Sequence, residues 1–156
     1  MGGPTPRGDR NTKVLCFPND MVSDMQERIL KTVAKYPSVQ NIVLHTGSND
    51  VSKQKSEVLK QDFTGLIRTV SSMKANVFIS GPIPTIRGGK ERFSRLLALN
   101  RWLSATCGDT GIHFINNFHI FWEQTWLRVD RASFLEAFDC CSFPCYHLSL
   151  EFPRYL

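Results

Sequence analysis

The sequence predicts an α/β fold, three layers of α/β/α around a mostly parallel, flavodoxin-like sheet. Three observations predict it. Short apolar runs alternate with segments of helical period four times between residues 13 and 115. Each run is closed by Gly, Pro, Asn, Asp or Ser, the residues that end strands in turns. And 156 residues, 42% hydrophobic and 21% charged, suit one soluble domain with a sizeable core.

The first strand is "KVLCF" (13–17), closed by Pro18, Asn19 and Asp20. Val22, Met25, Ile29 and Val33 follow at helical spacing, with Lys31 and Lys35 near the end and Pro37 as the stop. "NIVLH" (41–45) is the second strand and runs into the turn Gly47-Ser48-Asn49-Asp50. Leu59, Phe63, Leu66, Ile67 and Val70 line one face of a second helix, and "NVFIS" (76–80) is the third strand. "GPIPTIRGGK" is a loop, because its prolines and glycines disfavour regular structure. Phe93, Leu96, Leu97 and Leu103 mark a third helix, and "GIHFI" (111–115) is the fourth strand. Past Asp130 the period of 2 or 3.6 disappears into "RASFLEAFDCCSFPCYHLSLEFPRYL". The expected organisation is a disordered leader (1–12), a domain (13–130) and an atypical C-terminal tail (131–156).

Net charge is +5 and the pI about 9.1, compatible with a polyanionic partner without requiring one. The polar start "MGGPTPRGDRN" has no apolar core for a secretory signal, Pro6 stands where a myristoylation motif wants Ser or Thr, and no apolar run reaches membrane-spanning length. Five cysteines, two of them in apolar patterns, fit reduced thiols. An intracellular, cytoplasmic protein is the expectation.

Open α/β sheets bind ligands at the carboxyl ends of their strands, where the turn after the second strand presents Asn49 and Asp50. "HTGSND" resembles the G-x-N-D block of the SGNH (GDSL-like) hydrolases. "CFPND-MVSD", "KQDFTGLIRTV", "FISGPIPT", "RFSRLLALNRWL" and "FINNFHIFW" resemble one branch of that superfamily, the esterase-like domain found in fish LINE-type retrotransposon reading frames. The resemblance spans about 13 to 130. It implies a carboxyl-ester hydrolase in which a Ser at the end of the first strand attacks the acyl carbon. A His, paired with an Asp three residues earlier, would take its proton. Backbone N–H groups of the Ser and a Gly, with the Asn of G-x-N-D, would hold the oxyanion.

Carried over residue by residue, the resemblance makes Asn49 the oxyanion Asn, with Gly47, Ser48 and Asp50 forming the supporting turn. Asn19 stands where the second block has Gly. Asp130 falls near the acid position, but Ser133 stands where the His should be. Gly8-Asp9-Arg10 lacks the Ser of G-D-S and follows no apolar strand. The nucleophile and the general base are therefore missing, and the chain reads as a truncated copy without ester-cleaving activity. The absent strand belongs between 13–17 and 41–45 in a 2-1-3-4-5 order. Its loss should either close the sheet or leave backbone groups unpaired at about 1–3 kcal/mol each.

Other groups offer less. A replacement Ser–His pair from Ser80, Ser48 and His119 needs heavy atoms within about 3 Å, which nothing in the sequence enforces. Ser80 is expected to bond backbone at its turn, and His45 and His113 to be satisfied strand residues. Cys140, Cys141, Cys145 and His147 crowd into eight residues around Pro144, unlike the separated ligand pairs of structural zinc. No metal and no cofactor is expected. Arg87, Lys90, Arg92 and Arg95 concentrate positive charge and form the candidate nucleic-acid contact. Expected partners are a small ester or carbonyl ligand at the Asn49 turn or, alternatively, nucleic acid or a retroelement protein on the basic 82–101 segment.

Overall fold

The computed structural model describes residues 12–84 and 88–119, and the backbone of 147–151. Where apolar residues run nearly unbroken, strands form: β1 (Thr12–Cys16), β2 (Asn41–His45), β3 (Asn76–Ser80) and β4 (His113–Ile115). Helical periodicity gives α1 (Val22–Lys35), α3 (Ser56–Ser71) and α4 (Gly89–Thr110). A single turn of helix, α2 (Asp50–Lys53), lies between β2 and α3, and β5 (His147–Glu151) completes the sheet. β2, β3 and β4 pair in parallel and are flanked by helices, as the α/β pattern requires.

The core follows from the periodic positions. Val22, Met25 and Ile29 of α1 and Leu59, Phe63, Leu66, Ile67 and Val70 of α3 are buried, and the two helices pack on each other. Ile42, Leu44, Val77 and Ile79 supply the sheet side. Each such side chain contributes about 1.5–3 kcal/mol by leaving water. Phe63 of α3 meets Trp102 of α4 with ring centroids 6.4 Å apart. α4 departs from the expected face: Leu96 and Leu103 are buried, Phe93 and Leu97 are only half so, and Leu99, Asn100 and Cys107 complete the buried stripe. Gly111, at φ 71, ends the helix in the left-handed conformation that glycine favours.

The sheet order is β1-β5-β2-β3-β4. The expected gap between β1 and β2 exists in the topology, but it is filled. β5, from the C-terminal tail, pairs antiparallel with β1 on one side and β2 on the other. Thus β1 still runs parallel to β2, and the ladder is closed by a strand of opposite direction. A central strand needs hydrogen-bond partners on both sides and not a particular polarity, so five extended residues suffice. The leader through residue 11 and the tail outside β5 lie beyond the described residues.

Candidate functional site

The G-x-N-D turn is built by burial and sterics. Gly47 has φ 102, and a Cβ there would lie 2.7 and 2.9 Å from atoms of the Phe63 ring. Only glycine lets β2 turn this tightly over the α3 core. Asn49 follows at φ −74, half-buried at the start of α2, and its carboxamide has no hydrogen-bond partner among the described residues. Asp50 is fully buried, and its Oδ1 accepts the backbone N–H of Val22 at 3.2 Å. A carboxylate at the first turn of α1 also meets the positive end of that helix. Asp50 therefore ties the turn after β2 to the turn after β1.

The turn after β1 carries Asn19. Its φ is 70, the one positive value at a non-glycine residue among those described. Asparagine is among the side chains that tolerate this region, so the backbone course expected of glycine survives the substitution. The clearance does not, because a side chain now stands there, exposed. Asp20 accepts two hydrogen bonds from Arg28, from Nη2 to Oδ1 at 3.0 Å and from Nε to Oδ2, while the guanidinium covers the Phe17 ring at 4.2 Å. This fork fixes the loop on α1.

The structure brings Asn49, Gly47, Ser48 and Asp50 into one turn and links it to the Asn19 loop through Asp50. Asp130 and Ser133 fall outside the described residues, as do Arg87 and the three tail cysteines. Of the basic candidates, Lys90 is exposed. Arg92 donates from Nη2 to the Ser48 carbonyl at 3.3 Å, and Arg95 donates to the Gln54 carbonyl. These two guanidiniums brace the loop that carries Asn49.

One buried cluster was not foreseen. Ser80 Oγ lies 3.2 Å from His45 Nδ1 and accepts Asn117 Nδ2 at 2.8 Å, and Asn117 Nδ2 also reaches the Gly81 carbonyl at 2.6 Å. Ser80 thus bonds side chains at its turn where a backbone partner was expected. His45 and Ser80 are each 6% exposed, so this Ser–His contact is closed to a substrate. A signal was present: aligning "NIVLH" with "NVFIS" as parallel neighbours places His45 opposite Ser80, and the register is that one. His113 stacks on Phe78 at 4.6 Å, and His119 is exposed. A cleft of about 540 Å³, lined by Phe93, Leu97, Asn100, Arg101 and Phe118, opens beside β4. None of the oxyanion-turn residues lines it.

No family model matches the chain, and no curated protein matches it. Among solved structures it is similar to the esterase domain of the ZfL2-1 ORF1 protein from the zebrafish ZfL2-1 retrotransposon, at 44% sequence identity and a TM-score of 0.45. The match covers 61% of this chain and 61% of that one, less than two thirds of either.

Proposed function

We propose that this chain is an esterase-like domain of carboxyl-ester hydrolase lineage that retains the carbonyl-cradling turn and does not cleave esters. The observation that carries the reading is the occupant of the slot between β1 and β2. There the resemblance calls for a parallel strand ending in a nucleophilic Ser at the carboxyl edge. The slot holds β5, running the other way, and the residue at that edge is His147. The half-buried Asn49 carboxamide, with no hydrogen-bond partner among the described residues, supports binding of a small carbonyl or anionic ligand at the turn. Such a donor accelerates acyl transfer only when a nucleophile stands within reach of the bound carbonyl.

The test is hydrolysis of a short-chain p-nitrophenyl ester by the purified chain beside an Asn49→Ala variant, with fluorophosphonate labelling in parallel. We expect equal, background rates and no labelled serine. Turnover that falls with Asn49→Ala, or a serine labelled only while the protein is folded, overturns the reading.

A further inference from the structure

Helix α4 carries more apolar surface than the core takes up. Leu96, Leu99 and Leu103 are buried, whereas Phe93 and Leu97, one turn apart on an adjoining stripe, are only half-buried. Phe118, just after β4, is buried, and its ring meets Phe93 with centroids 5.7 Å apart at an angle of 58°. These two rings and Leu97 wall the cleft of about 540 Å³. Small-molecule sites have volumes of roughly 300–1,000 Å³, mostly apolar walls and a few placed polar groups. We propose that this cleft binds a small apolar carboxylate, an aryl or branched-alkyl acid, at a place separate from the Asn49 turn.

The polar groups at the cleft select the charge of the ligand. Asn116 lines it and is half-buried. Its Oδ1 accepts Asn100 Nδ2 at 3.2 Å and the His119 backbone N–H at 3.1 Å, and these two donations fix which way the carboxamide faces. Asn116 Nδ2 is left as a donor without a partner among the described residues. Arg101 also lines the cleft, is exposed, and makes no hydrogen bond or ion pair among the described residues. None of the described lining residues is acidic. Two donors, one of them charged, therefore border an apolar space that holds no opposite charge. A carboxylate accepts from both, and the guanidinium fork matches its geometry. The apolar walls favour a hydrocarbon body over a sugar–phosphate chain. A polyanion would also need neighbouring cations, and Arg92 and Arg95 of the same helix are engaged on the Ser48 and Gln54 carbonyls. No residue of the Asn49 turn lines the cleft, so the proposal does not rest on the esterase reading.

The test is titration of the isotope-labelled full chain with hydrocinnamate, its neutral amide and acetate, followed by amide chemical shifts. Hydrocinnamate should bind saturably with a Kd of about 0.1–3 mM, in keeping with its size, and move the signals of residues 93–101 and 116–119. The amide, which lacks the charge, should bind about threefold more weakly or worse, and acetate, which lacks the apolar body, about tenfold more weakly or worse. Arg101→Gln, at an exposed position, should bring hydrocinnamate down to the affinity of the amide. Leu97→Trp, which narrows the cleft, should weaken the acid and the amide alike, by about tenfold. Asn49→Ala should bind hydrocinnamate as wild type does. Absence of saturation below about 10 mM, equal affinity for acid and amide, shifts centred on residues 46–54, or wild-type affinity in Arg101→Gln overturns the proposal.

Discussion

Gly47 shows how one residue sets the geometry of the candidate site. Its φ of 102 and the approach of the Phe63 ring leave no place for a Cβ. An alanine there meets two separate costs, a backbone region closed to L side chains and overpacking of a buried aromatic. Each is of order 1–3 kcal/mol. Gly47→Ala should therefore lose about 2–5 kcal/mol of unfolding free energy in a denaturant titration. Gly111→Ala is the internal control, since Gly111 has φ 71 but nothing within 4 Å of the added methyl, and it should cost only about 1 kcal/mol. Equal losses in the two variants would mean that Phe63 does not wall the turn. Asn19 makes the complementary point: it takes a left-handed turn without glycine, so a missing Gly in the second block is not by itself a missing turn.

Among the elements, those legible in the sequence are those with a local cause. β2 and β3 form over the residues expected, because a strand covered by helices reads as an unbroken apolar run. All five buried positions of α3 follow from its 3.6 period. α2, a single turn, is too short to leave a period, and α4 buries Asn100, a polar residue no apolar stripe predicts. β5 was illegible for a different reason. Five residues of alternation, "HLSLE", stand behind a Cys- and Pro-rich stretch, and their role is set by a vacancy between two distant strands. The His45–Ser80–Asn117 cluster is non-local in the same way, joining residues 35 and 37 positions apart. The central place of β5 can be tested with a proline. Every N–H of a strand paired on both sides enters a ladder, so Ser149→Pro removes a hydrogen bond and should destabilise the chain by about 3 kcal/mol or more. Among the described strands β1 is at the edge and its ladder runs to β5 alone, so amide exchange over 12–16 should accelerate further than over 41–45. Unchanged exchange in β1 would remove β5 from the sheet.

For the whole molecule, the net charge of +5 invites a polyanion, yet two of the arginines that concentrate it are engaged on backbone carbonyls and stabilise the Asn49 loop. Among the described residues no helix is long and apolar enough to cross a membrane. A sharper global property is the pH dependence of folding contributed by Cys107. This thiol is fully buried in α4, and burial pushes its pKa from 9.0 up to about 11. The folded chain holds the proton more tightly than the unfolded chain. The stability this contributes is complete below about pH 9 and is lost as the pH rises towards 11. Two pKa units correspond to at most about 3 kcal/mol. Cys107→Ala removes the titration and leaves a small cavity, costing about 1 kcal/mol at neutral pH. Wild type should therefore be the more stable of the two from pH 7 to 8.5. The difference should shrink above pH 9 and change sign near pH ~10, as the buried thiol loses its proton in the unfolded chain first. Lysines and tyrosines also titrate in this range, but they are common to both proteins and cancel in the comparison. Parallel denaturation curves for the two proteins at all pH values would show that Cys107 is solvated in the native state, and that α4 does not close over the core at that turn.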